Sequence, residues 1–121
     1  MEVNELLITT DCSRVICPVE YAFDLIGGKW KGVLLYHLID GTKRFNEFRK
    51  IYPNISQRIL TLQLRDLEEA GIVHREVYKQ VPPKVEYSLT EFGKTLIPII
   101  LMMRDWGIAH KEHFSIKMVT N

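Results

Sequence analysis

The 121-residue chain predicts a mainly α fold with a small β-hairpin. Three observations carry that reading: apolar residues recur at helical spacing in most segments, a polar-faced helix follows a shorter one between Asn46 and Ala70, and two alternating stretches lie at residues 73–77 and 85–89. No spacer separates the short helix, the tight turn, the longer helix and the hairpin. That order is the layout of a winged helix-turn-helix, with further helices at the N- and C-terminal ends.

Each element can be argued in order. Cys17-Pro18-Val19-Glu20 opens a helix with proline at its first position, where a missing N–H removes no bond, and Gly27-Gly28 closes it. Lys29 to Asp40 is a second helix, with Trp30, Val33, Leu34, His37 and Leu38 facing the core. Asn46 can cap a helix running to about Tyr52, its side-chain oxygen accepting from an orphan N–H, with Phe48, Ile51 and Tyr52 as the apolar stripe. Pro53 and Asn54 stop it, because proline disfavours helix in the residue before it and asparagine tolerates turns. Ser56 caps the next helix, Leu60, Leu64 and Leu67 recur at i, i+4 and i+7, and Gly71 ends it.

At about 100° per residue, Gln57, Arg58, Thr61 and Arg65 fall within one arc of roughly 100° beyond the leucine stripe and form an exposed face of donors and acceptors. Val73, Arg75 and Val77 alternate with His74 and Glu76 as a strand, and Val85, Tyr87 and Leu89 mark its partner, so the wing spans residues 73–89. Between them, residues 78–84 form a loop that carries Lys79 and Lys84 and is stiffened by Pro82-Pro83. Thr90 can cap a long helix over residues 91–113, with Pro98 producing a kink or an irregular first portion.

Size and a 46% hydrophobic content fit one domain over residues 1–121. The net charge of +1 conceals an asymmetry. Residues 1–28 carry one basic and five acidic side chains, whereas residues 29–65 carry eight basic against two acidic, 8 − 2 = +6. Asp66, Glu68 and Glu69 then put negative charge at the far end of the second helix of the pair. Such a distribution is the electrostatic footprint of a phosphate-binding surface.

Other classes are disfavoured. No nucleophile–base pair, metal cluster or phosphate-cradling loop is legible; Gly27-Gly28-Lys29 lacks the spacing of a phosphate loop and follows no strand. The expectation is therefore no enzyme, no cofactor and no metal. Cys12 and Cys17 do not match the CxxC spacing of zinc or redox sites, and His110 and His113 read as solvated. The first ten residues do not look like a secretion signal, and the longest apolar run, residues 96–103, is far short of the roughly 20 residues a bilayer requires, so the chain is expected in the cytoplasm, at the nucleoid, without a membrane partner.

The last helix is apolar around too much of its circumference for a small monomer. Ile97, Ile99, Ile100, Leu101, Met103, Trp106 and Ile108 cannot all face one small core, which points to a homodimer; the other reading is that the N-terminal helix covers them.

Several linked motifs now come together: Cys17-Pro18-Val19, Gly27-Gly28-Lys29-Trp30, Arg44-Phe45-Asn46-Glu47-Phe48, Ile55-Ser56-Gln57-Arg58 and Pro82-Pro83-Lys84-Val85-Glu86-Tyr87-Ser88-Leu89-Thr90. In this order they resemble the HxlR family of bacterial transcription regulators, over residues 17–110. The resemblance implies a homodimer, related to the MarR group, that binds an inverted-repeat operator in double-stranded DNA and uses its terminal helices as the dimer interface. Ile97, Ile100, Leu101, Met103 and Trp106 are the expected interface residues. In some members the cysteine at Cys17 senses electrophiles or oxidants.

Residue roles follow, some with two readings open. Gln57, Arg58 and Thr61 are the expected base readers, because a helix N-terminal half fits the major groove, where each base pair has its own hydrogen-bonding pattern. Ser56 either only caps its helix or also donates to a phosphate. Arg65 reaches the DNA backbone or pairs with Glu68 or Glu69; Arg44 and Arg49 flank the first helix of the pair as backbone contacts or solvated groups. Lys79 and Lys84 meet phosphates or a minor groove from the wing. Cys17 is either a thiol sensor, activated at a helix N-terminus, or a packing residue, with Glu20 opposing a lowered pKa. Cys12 has no expected role. An effector, small molecule or electrophile, stays unidentified, and the competing function is a winged helix used only for protein–protein contact.

Overall fold

The computed structural model describes residues 17–114. Cys17 precedes α1 (Pro18–Ile26), which ends at Gly27 as its proline and glycine imply. The second helix, α2 (Lys31–Leu38), is shorter at both ends than the stretch 29–40, because Trp30 and Ile39 serve as its flanking residues. Leu34, Leu35 and Leu38 are buried, while Trp30, Val33 and His37 are only half-buried. Leu35 was not among the expected core positions. It is buried because α2 packs against α4 on one side and α6 on another, so its apolar face must be wider than a single stripe.

A strand of two residues, β1 (Lys43–Arg44), leads directly into α3 (Phe45–Ile51). Asn46 is not the cap: α3 starts at Phe45, directly after Arg44, whose backbone N–H donates to Glu47 Oε1 at 2.7 Å. The N-terminal donor is satisfied from inside the helix, which frees Asn46 to be its second residue. Phe48 is fully buried, Tyr52 is half-buried and Ile51 is exposed.

The tight turn of residues 53–56 then delivers α4 (Gln57–Glu69), with Ser56 Oγ accepting from the Ile59 N–H at 3.1 Å. Leu60, Leu64 and Leu67 are buried to 1% exposure or less, and Gly71, at φ +77°, turns the chain where a residue with Cβ would be strained.

The sheet has three strands in the order β1-β3-β2, all antiparallel, with β2 (Val73–Tyr78) and β3 (Lys84–Leu89) as the hairpin. The register sets Val73 against Leu89, Arg75 against Tyr87 and Val77 against Val85 on one face, and Lys43 of β1 opposite Tyr87. Along β2 only Val73 is buried; the strand runs past the end of the core, and Val77 is 45% exposed.

The helix expected over residues 91–113 has the irregular first portion that is one of the two outcomes expected of Pro98, and it divides there. Thr90 caps a short α5 (Glu91–Lys94), the chain bends at Thr95 and Leu96, and α6 (Ile97–Ala109) begins afresh with Pro98 in its first turn. A 3₁₀ turn follows at Lys111–Phe114. Thr90 holds the break in place: its hydroxyl donates towards the Gly71 carbonyl at 2.6 Å and accepts from the Gly93 N–H at 2.9 Å, while its own N–H reaches the Ile72 carbonyl at 3.0 Å. Gly93 sits so close to the Ile72 carbonyl that a Cβ there would overlap it. Helix pair, hairpin and flanking helices together make a winged helix-turn-helix. Among the described residues, no helix is long and apolar enough to cross a membrane.

Candidate nucleic-acid interface

The leucine stripe of α4 settles which side of that helix stays outside. With Leu60, Leu64 and Leu67 turned inward, Gln57, Arg58 and Arg65 are exposed and Thr61 is half-buried. These are the four residues expected on the polar face, and the structure brings them to one surface. Thr61 Oγ1 donates back to the Gln57 carbonyl at 2.8 Å, so its hydroxyl hydrogen is occupied. Ser56 uses its oxygen as the cap, yet its hydroxyl hydrogen remains available at the positive end of the helix dipole.

Between this face and the hairpin runs a trough of about 440 Å³ lined by Phe45, Gln57, Thr61, Arg65, Glu68, Arg75, Val85 and Tyr87. Arg65 makes no ion pair with Glu68 or Glu69 in this structure. Asp66, next along, is tied instead to Lys31 of α2 at 3.6 Å. A second trough, of about 450 Å³, separates the start of α3 from the wing and is lined by Arg44, Lys50 and Pro83 among others. Arg44 thus lines the gap between α3 and the wing.

Arg49 departs from expectation. Its residue is half-buried and its Nε is enclosed without a hydrogen-bond partner, so only the terminal nitrogens could reach a ligand. Lys84 differs too. The register puts it on the outer face of the hairpin, away from α4, where its Nζ lies 3.4 Å from Glu86 Oε2 and 4.8 Å from the centre of the Tyr78 ring. The Tyr78 hydroxyl hydrogen-bonds Glu86 as well, which with the carboxylate's charge raises the phenol's pKa. Lys84 is therefore held down, and Lys79 is the wing lysine that stands exposed with no ion pair among the described residues.

At the other end of the molecule the apolar residues of α6 divide. Ile100 is buried in the chain's own core, and Ile97 and Leu101 are half-buried, so Ile100 in particular cannot meet a partner. Met103 and Trp106 are exposed, as expected for an interface, and are joined by Ile99, Ile108 and Met102, the last 71% exposed and absent from the expected set. On α1, Val19, Tyr21 and Phe23 are exposed as well, Phe23 to 63%. The N-terminal helix therefore does not bury the apolar side of α6; it adds apolar surface of its own.

Cys17, open in the sequence between a sensing thiol and a packing residue, is buried at the N-cap position of α1, makes no side-chain cap bond there and is disulfide-bonded. Cys12 lies outside the described residues. The described residues hold no group of three side chains able to bind a metal.

Arg75 was not expected at the site. An arginine placed between Val73 and Val77 on the inward-alternating positions of a strand was the available clue, since such a residue has to leave the core.

Comparison with known proteins agrees with this architecture. Residues 25–115 match the HxlR-like helix-turn-helix family. The chain is 75% identical over 96 residues to the uncharacterized HTH-type transcriptional regulator YdeP of Bacillus subtilis, covering 79% of this chain and 75% of that one. Among solved structures it is similar to the redox regulator HypR in its reduced form, with a TM-score of 0.79 and 68% identity over 82% of this chain and 98% of the other. It is also similar to the reduced form of the transcriptional regulator YodB from B. subtilis, with a TM-score of 0.66 and 40% identity over 77% of this chain and 92% of that one. With fold, helix pair and wing all in common, the chain belongs to the HxlR-like helix-turn-helix family and is a transcriptional regulator of the helix-turn-helix type.

Proposed function

We propose that the protein binds double-stranded DNA sequence-specifically, as a homodimer on an inverted-repeat operator at the bacterial nucleoid. The observation that carries this reading is the unobstructed polar face of α4, with Gln57 and Arg58 exposed beside a helix N-terminus. A helix entering the major groove presents its first turns to base edges, and an arginine there can donate two parallel hydrogen bonds to guanine. Gln57, Arg58 and Thr61 read bases; Arg44, Ser56 and Arg65 position the backbone; Lys79 meets the minor groove or its phosphates. Arg49 and Lys84, both partly engaged within the protein, contribute less.

Two copies are required for the operator to be an inverted repeat. The exposed apolar residues of α6 and α1 support association through that side, with Met102, Met103 and Trp106 at its centre. Selection from genomic fragments tests the whole reading. An enriched palindrome with steeply salt-dependent affinity is expected, and Arg58→Ala should weaken it and relax base preference by about 1–3 kcal/mol at one position. No enrichment, or unchanged affinity in Arg58→Ala, counts against the reading and favours a protein-binding winged helix.

Control through Cys17 is the second part of the reading. Relatives of this chain include a redox regulator with oxidized and reduced forms, and Cys17 sits where α1 begins. Conversion between thiol and disulfide there alters how α1 starts, and with it the apolar side that carries the second copy. Operator affinity measured after reduction and again after diamide should differ; equal affinities would remove Cys17 from any sensing role.

A further inference from the structure

The sheet face turned towards α4 changes character partway along β2. Val73 is 2% exposed, yet Arg75, two residues on and on the same face, is exposed opposite buried Tyr87. The core gives out between them and the trough against α4 opens. Arg65 approaches that trough from the helix and Arg75 from the sheet, and neither side chain makes an ion pair or hydrogen bond with another described residue. On the outer face the opposite holds: Lys84 is matched to Glu86, and His74 to Glu76 at 2.9 Å. Unmatched positive charge is thus concentrated on the trough side of the hairpin, with Glu68 as the one acidic residue along its lining.

We propose that this trough seats the sugar–phosphate backbone of one DNA strand, gripped by Arg75 from the sheet and Arg65 from the helix. The assignment rests on the DNA-binding reading above and adds Arg75 and a defined path for the strand. A duplex that places its major groove on α4 and its adjoining minor groove on the wing must pass the intervening strand through the gap between those two elements. Phosphates recur about every 3.4 Å axially along one strand, so one lies within reach of each wall. A guanidinium presents parallel N–H donors that match two phosphate oxygens, and it keeps its charge at any physiological pH. Glu68 repels the strand from the inner end and keeps it near the Gln57 end, where the helix dipole also favours an anion.

The test compares wild type, Arg75→Gln, Arg75→Lys and Arg65→Gln on two duplexes, the selected operator and a mixed-sequence fragment of the same length, over a range of KCl concentrations. A backbone grip requires Arg75→Gln to weaken both duplexes by the same factor, roughly tenfold, and to reduce the log–log salt slope by about 0.9. Arg75→Lys should restore the slope and only part of the affinity, because it returns the charge without the fork. Arg65→Gln reads the opposite wall and should show the same loss of slope whatever a substitution in the hairpin does to folding. If wild type binds with a steep slope and Arg75→Gln behaves identically, the seat is wrong while DNA binding stands. A loss confined to the selected operator would move Arg75 onto a base edge and equally overturn the seat. Failure of wild type to bind either duplex would instead remove the DNA-binding reading itself.

Discussion

His37 shows how one side chain ties a helix to the turn of the helix pair. Its Nε2 shares a hydrogen bond of 3.1 Å with the Tyr52 hydroxyl, and Tyr52 also meets Trp30 edge-on at 5.6 Å between ring centres. Burial disfavours the imidazolium and lowers the His37 pKa below its ordinary value, outweighing the pull of Asp40 upward; burial likewise raises the Tyr52 phenol. Since the unfolded chain then takes up the proton more readily than the folded one, the contribution to stability is present above the ordinary histidine pKa of about 6.5 and is lost as pH falls through the lower folded value. The melting temperature should decline between about pH 7 and pH 5, and His37→Gln, which keeps a polar partner for Tyr52 but cannot titrate, should flatten that decline. An unchanged slope in the variant would show that other groups set it. At the same scale, the polar face of α4 was legible residue by residue, because a leucine stripe of fixed period determines which positions stay outside it. Arg44 as a cap, and the engagement of Lys84 and Arg49, were not, because each depends on a partner or enclosure contributed by the folded chain.

Among the elements, what the sequence left open was where a pattern stops. Thr90 and the apolar run after it have the composition of one continuous helix, yet the chain divides at Thr95 and Leu96 because Thr90 and Gly93 are drawn onto the carbonyls of Gly71 and Ile72. Periodicity reports that a segment can be helical; it does not report a close approach to a backbone distant in sequence. The two-residue β1 was hidden for a related reason, being too short to alternate and existing only through its ladder to β3. Gly93 gives this a measurable form. Gly93→Ala should destabilise the protein by about 2 kcal/mol in urea unfolding, since the methyl must push α5 off the Ile72 carbonyl, even though alanine ordinarily favours a helix. A stabilised variant would mean that α5 is not held there.

For the whole molecule, the decisive property is that α1 and α6 carry exposed apolar residues whereas α4 carries the exposed polar face. Trp106, 62% exposed and stacked on His110 at 4.7 Å, and Met102 are the residues on which association should depend. Met102→Glu with Trp106→Glu is expected to halve the mass seen by sedimentation while leaving far-ultraviolet circular dichroism unchanged. Ile100→Glu, by contrast, should unfold the chain, because that side chain is core. Half-mass wild type would end the homodimer reading. Composition made the surplus of apolar surface visible; only packing revealed which residues are spent inside.

One helix links α6 to α4. α2 packs on α6 at its back and on α4 at its front, and Lys31 of α2 reaches Asp66 of α4 at 3.6 Å. Leu34 and Leu35 are wholly enclosed. Packed interiors resist compression, so α2 acts as a rigid shim of one helix diameter, about 8–10 Å between axes. Whatever displaces α6 must therefore push through this shim, and in the proposed dimer the stride between the two copies of α4 would be gauged by leucines that lie wholly inside the chain.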